Sequence, residues 1–252
     1  METSLSTAEP GAKAGGLVLG IDTCGPSGSV ALGRRVGTRL ELLGQTELAG
    51  RSYSATLVAA VGELLKLNGV LLRELGAIIA VNGPGSFTGV RVGLSAVKGL
   101  AEPSGIPAAV VSRLEVLAGK TNSEKAGVLA AALDAHRNEV FLRVEMADGR
   151  TREVLAGRAD LVAMELLPAA IAVCEDAAEE LIRDAWPAAM VERVAAPMAS
   201  DALELAVPKI RAGAFVDLAL LDGHYLRRSD AEIFGEPAQA LAQRASVPNL
   251  NP

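Results

Sequence analysis

Residues 77–100 read AIIAVNGPGSFTGVRVGLSAVKGL, and the fold turns on how this stretch is read. The run 78–81 is short, apolar and rich in β-branched side chains, which suits a strand buried on both faces. It stops at Asn82-Gly83-Pro84-Gly85, a cluster that cannot continue a strand, so a tight loop follows. Beyond the loop Ser86 or Thr88 can cap a helix, and Val90, Leu94, Val97 and Ala101 recur on one helical face. Strand, glycine loop and capped helix start together aim backbone N–H groups and a positive dipole end at one spot, the usual way for a backbone to hold an anion. The same glycines also serve a plain strand-to-helix turn. Neither common phosphate-binding pattern fits: no lysine follows Gly89, and the third glycine of a dinucleotide fingerprint would fall one place before it. Gly89, Gly93 and Ala96 form a second face of small residues, which lets another helix approach closely.

The rest of the chain sets limits. With 252 residues it can bury a good core in one two-lobed domain or two small ones. Half the residues are hydrophobic, yet charged residues or glycine interrupt every apolar run before the roughly 20 residues of a membrane span, so a soluble protein with no membrane contact is expected. Residues 1–14 lack the basic start and apolar centre of a secretory signal and read as a disordered tail, which makes the cytoplasm the expected location. Cys24 and Cys174 lie far apart with no metal-ligand spacing and read as small buried hydrophobes, with no metal site expected. The net charge of −6 without a basic block is poorly suited to gripping nucleic acid, and aromatic residues at 3% offer no base-stacking surface.

Taken in order, 17–23 is a buried strand ending at Asp22-Thr23, 24–27 a turn and 28–32 a second strand, with a third between 38 and 47. That is an antiparallel meander with Asp22 exposed at its first turn, where it can hold Mg²⁺ through water or tie up turn amides. Residues 54–68 form a helix with Leu57, Val61, Leu64 and Leu65 on one face, and 71–76 a helical turn. After the central strand and helix come a break at 103–105, a strand at 108–111 and a short helix capped by Ser112. Beyond a polar loop at 120–125, strands 127–133 and 139–145 make a hairpin with the polar tip Asp134-Ala135-His136-Arg137-Asn138. A strand at 171–174 and helices at 177–185 and 201–212 follow, the last capped by Ser200 or Asp201. Periodicity is lost from 229 onward, and 229–252 reads as a mobile tail. The order predicts mixed sheets with helices packed on them. His136 and His224 are the only histidines. Neither belongs to a metal pair, and no nucleophile elbow is present. His136 beside Asp134 and Arg137 reads either as a site or as a solvated tip.

IDTCGPSGSVAL, GPGSFTGVRVGLSAVKGLA, SRLEVLA and LDAHRNEVF together resemble the bacterial TsaB (YeaZ) family. The likeness covers most of 17–144, is weaker to Tyr225-Leu226-Arg227, and excludes both tails. It implies the fold shared by actin, sugar kinases and Hsp70-type chaperones, an α/β arrangement of two lobes of mixed sheet with helices. The lobes would be 15–112, which carries the partner-binding helices, and 113–228. It implies the dimerisation subunit of the complex that makes threonylcarbamoyladenosine beside the anticodon of tRNA, with a TsaD-like catalytic paralogue and a TsaE-like ATPase as partners. A homodimer is implied when the chain is alone, and tRNA is met only through the complex. The chain needs no cofactor of its own, while ATP or ADP can enter with the complex.

Departures from the family pattern narrow this. TsaD-type relatives hold a metal with an HxxxH pair, and here that region reads Arg51-Ser52-Tyr53-Ser54-Ala55. Asn82 stands where relatives commonly show Arg. Asp22 matches the acid that active members of the wider fold use near Mg²⁺, so Asp22, Gly83, Gly85 and Ser86 mark a vestigial nucleotide site. No catalytic residue is assigned. The partner interface is expected on Leu57, Val61 and Leu64 of the first helix and Gly89, Val90, Gly93, Leu94, Ala96 and Val97 of the second, closing a four-helix bundle with another subunit. The alternative is an enzyme in its own right, an ATP-dependent transferase or a glycoprotease-like hydrolase.

Overall fold

The computed structural model describes residues 16–49, 53–121, 128–164 and 167–227. The expected tails 1–14 and 229–252 lie outside them. Leu17–Asp22 (β1), Ser27–Val36 (β2) and Arg39–Ala49 (β3) form the antiparallel meander. Tyr53–Leu67 (α1) leads through a 3₁₀ turn, Leu72–Glu74, to Ala77–Val81 (β4), which lies parallel to β1. Phe87–Ser104 (α2) then crosses to Ala108–Val111 (β5), parallel to β4, giving the order β3-β2-β1-β4-β5. Every residue of β4 is buried, which is why its sequence is an unbroken apolar run rather than an alternating one. Ser86 caps α2, its hydroxyl accepting from the Gly89 N–H at 3.2 Å. The break expected at 103–105 begins too early. Pro103 sits in the last turn of α2, and the helix runs on to Gly105, whose positive φ of 59° and N–H back to Ala101 close it.

Arg113–Ala118 (α3) opens the second half with Ser112 as its cap. Leu129–Asp134 (β6), Glu139–Glu145 (β7) and Thr151–Gly157 (β8) form another antiparallel meander. Arg158–Ala163 (α4) leads to Ala170–Val173 (β9), and Asp176–Ala185 (α5) to Val191–Arg193 (β10), in the order β10-β9-β6-β7-β8. Read from its meander end, this sheet repeats the first: three antiparallel strands, then two parallel ones added beside the first strand of the meander. Asp22 and Asp134 therefore end equivalent strands. The last helix, Ala199–Arg211 (α6), packs across all five strands of the first sheet rather than the second. A second lobe running unbroken over 113–228 is thus not what the packing gives. Leu203 and Ala199 of α6 close on Gly20 of β1, where a Cβ would meet Ala199 O at 2.8 Å. Among the described residues no helix is long and apolar enough to cross a membrane.

Candidate functional site

β1 and β4 are parallel neighbours, so Asp22 and the loop Gly83-Pro84-Gly85-Ser86 emerge at the same end of the sheet. The structure brings them together, with Asp22 and Gly83 buried, Gly85 half-buried and Ser86 exposed. Asp22 is 1% exposed, which corrects its expected exposure at the hairpin turn. Its Oδ1 accepts the Cys24 N–H at 2.8 Å, the turn role, while its Oδ2 lies 3.9 Å from Nε of Arg113, itself 4% exposed. Burial raises the Asp22 carboxyl above its ordinary range, with Arg113 and the Cys24 N–H pulling the other way. Arg113, the first residue of α3, is fastened by its own N–H to Gly83 O at 2.6 Å. The guanidinium presses on Gly25, where any Cβ would collide with it, and Gly25 O accepts from the Tyr53 hydroxyl at 2.8 Å.

Two backbone amides of this loop are committed in the same way. The Ser86 N–H donates to Cys24 O at 2.8 Å, and the Asn82 N–H to Val111 O at 3.1 Å. Gly83 has φ of 113°, a conformation open to glycine alone at this turn. Gly89 lies so close to Thr23 O that a side chain there would overlap it, and the Thr23 hydroxyl donates to Gly89 O at 2.7 Å. Gly89 and Gly93 thus let α2 close on the Thr23 turn of its own lobe. A Mg²⁺-nucleotide does not fit these residues: the acid that would face the metal already has a guanidinium and an amide as partners. Burial pushes the Cys24 thiol well above its ordinary value and the Cys174 thiol to about 11, which disfavours the thiolate at neutral pH. Among the described residues no group of three His, Cys, Asp or Glu is placed to hold a metal.

Beside this end of the sheet runs a strap that sequence reasoning left unassigned. The His224 N–H donates to Asn82 O at 2.7 Å, and its Nε2 lies 2.8 Å from Glu153 Oε2 on β8. Glu153 also accepts from Ser112 and Arg143, each at 2.8 Å. Arg227 reaches Glu139. At the tip of the β6–β7 hairpin His136, Arg137 and Asn138 all have positive φ, 59°, 57° and 60°, without a glycine among them. The Asp134 carboxylate lies 2.9 Å from His136 Nδ1 there. Burial works against the charge of Glu153, but the hydrogen bonds from His224, Arg143 and Ser112 hold its carboxyl below the usual glutamate value. A depressed carboxyl stabilises the fold above its unfolded value, about 4.3, and loses that contribution as pH falls through the folded value. Urea unfolding at neutral pH and at about pH 3 should therefore show a smaller acid loss in Glu153→Gln than in the parent.

The second region is the α1–α2 pair. Of the residues expected to face a partner, Leu57, Val61, Leu64, Gly89, Val90, Gly93, Leu94 and Val97 are buried in this chain's own core. Ala96 is half-buried at the surface. The outward stripes are instead Ala55, Val58, Ala59 and Gly62 on α1 and Arg91, Val92, Ser95, Ala96 and Gly99 on α2, both repeating at helical spacing. Val58 is 59% exposed, and between the helices runs a groove of about 400 Å³ lined by Ser54, Leu57, Val58, Arg91, Val92, Ser95 and Ala96.

Comparison with known proteins gives a consistent result. A family model described as TsaD, tRNA N6-adenosine threonylcarbamoyltransferase, matches residues 45–216. The tRNA threonylcarbamoyladenosine biosynthesis protein TsaB of Haemophilus influenzae is 35% identical over 125 residues, 49% of this chain and 51% of the relative. Its Escherichia coli counterpart is also 35% identical over 125 residues, 49% of this chain and 52% of the relative. The chain thus spans about half the length of the curated relatives it matches. The structure of YeaZ from Pseudomonas aeruginosa superposes with a TM-score of 0.67 at 28% identity, over 83% of this chain and 99% of that one. The two mixed five-stranded sheets with their helices are thus an arrangement shared with YeaZ.

Proposed function

We propose a role that proceeds from family: this chain belongs to the tRNA N6-adenosine threonylcarbamoyltransferase family, in its TsaB (YeaZ) branch. Its part is that of a non-catalytic scaffold, which pairs with a TsaD-like catalytic paralogue for threonylcarbamoylation of the adenosine beside the anticodon. The observation that carries this reading is the state of Asp22. The acid best placed for nucleotide chemistry is buried against Arg113, with the Asn82 and Ser86 amides beside it bonded to the chain itself. A group so enclosed can stabilise a fold but cannot position a metal or activate water.

The outward stripes of α1 and α2 supply what a scaffold needs. Small residues let a second helix pair approach to contact distance, and Val58 offers apolar surface that the chain's own core leaves uncovered. A second copy, or the paralogue's equivalent helices, would complete a four-helix bundle on the same face, so the two pairings compete. With a net charge of −6 the chain leaves tRNA binding to its partners, and the ATP of a TsaE-like subunit belongs to the complex.

The isolated chain is expected to hydrolyse neither ATP nor casein above a buffer control, in Mg²⁺ or Zn²⁺. In a mixture with the paralogue, the ATPase and tRNA, modification should depend on adding it. Turnover by the chain alone that disappears in a folded Asp22→Asn variant would overturn the scaffold reading in favour of an enzyme.

A further inference from the structure

We propose that Arg91 is the specificity anchor of the α1–α2 face and takes a carboxylate from the catalytic paralogue. This rests on the pairing reading given above. Arg91 leaves the exposed side of α2 one turn beyond Phe87, and its guanidinium carbon lies 3.7 Å from the centre of the Phe87 ring and 6.0 Å from that of Tyr225. The two rings are 5.1 Å apart, tilted by 49°, and each is 37% exposed. An arginine seated on an aromatic face is held without using its N–H groups, which remain as a fork for a planar acceptor. Among the described residues no carboxylate lies within ion-pair distance of Arg91.

The same residue lines the groove between the helices, beside Val58, Val92 and Ala96. Whatever covers that groove removes water from a cation already fixed in place. Little side-chain freedom is lost, but burial without a partner charge is costly, so the covering surface must bring an acceptor. The groove lining holds no acid of its own. A second copy laid groove to groove brings only the same lining, which has no acid to offer Arg91. The complementary occupant is therefore a helix of a different chain that carries Asp or Glu opposite Arg91. The arginine then does more than add affinity: it favours the paralogue over the self-pair, although both use one face.

The test uses the full chain and the same organism's TsaD-like protein. Binding is measured by titration calorimetry and self-association by sedimentation velocity, for the parent, Arg91→Met, Arg91→Lys and Val58→Asp. Arg91→Met should weaken binding to the paralogue at least about tenfold and leave self-association unchanged or stronger. Arg91→Lys should recover only part, because an ammonium lacks the fork. If Arg91→Met binds the paralogue as tightly as the parent while Val58→Asp does not, the pairing face stands and the role of Arg91 falls. Equal weakening of both associations would also overturn it, as a general loss of packing. If the parent does not bind the paralogue, or Val58→Asp binds like the parent, the pairing reading itself fails and takes this inference with it.

Discussion

Arg113→Ala is expected to destabilise the fold by about 3–5 kcal/mol, because it leaves the Asp22 carboxylate buried with no compensating cation. For a chain of this size that corresponds to a fall of roughly 10 °C in the thermal midpoint. The pair sits where β1, the Gly83 loop and the start of α3 converge, so a change there reaches both halves of the molecule. Replacing both charges should cost much less. In Asp22→Asn with Arg113→Met the amide oxygen can still accept the Cys24 N–H, and the methionine fills space against Gly25 without needing an acceptor. Thermal unfolding of parent, single and double variants decides this. A double variant as unstable as Arg113→Ala would mean that Arg113 acts by shape alone, and the account of Asp22 as a neutralised structural acid would fail.

The parts of this arrangement that were legible in the sequence are those fixed by neighbours in the chain. β4 and α2 followed from a continuous apolar run, a glycine loop and the Ser86 cap, all within one stretch. Asp22 was legible as the end of a strand but not as a buried acid. Its burial depends on Arg113, which lies far along the chain at the start of α3. The helix faces failed for a different reason. Periodicity measures the phase of a stripe and not its direction, and both stripes of α1 are apolar enough to be buried. The larger side chains, Leu57, Val61 and Leu64, went inward, and the small ones with Val58 were left outside. β8 passed unnoticed because it is a half-exposed edge strand without clear alternation. The repeat of one strand order in two sheets has no matching repeat of residues, so only the topology reveals it. The strap at His224 and Arg227 likewise joins residues that no local pattern connects.

Val58→Asp carries the other large effect. Val58 is 59% exposed in the single chain, so an aspartate there stays in water and the fold should melt as the parent does. In a closed bundle the same carboxylate would be stripped of water, and any pairing with Arg91 of the same groove would take that arginine away from the partner's acid. The cost of about 3 kcal/mol or more corresponds to an affinity loss of over roughly a hundredfold. Ala96→Asp, across the groove, should behave in the same way, whereas Glu63→Ala, beyond the groove lining, should pair normally. The most direct measurement of the scaffold account is calorimetric titration of the parent and of Val58→Asp into the same organism's TsaD-like protein, with circular dichroism melts of both. The account predicts a parent that binds and a variant that melts identically but has lost at least about a hundredfold in affinity. Equal binding by the two would place the partner elsewhere on the molecule and contradict it.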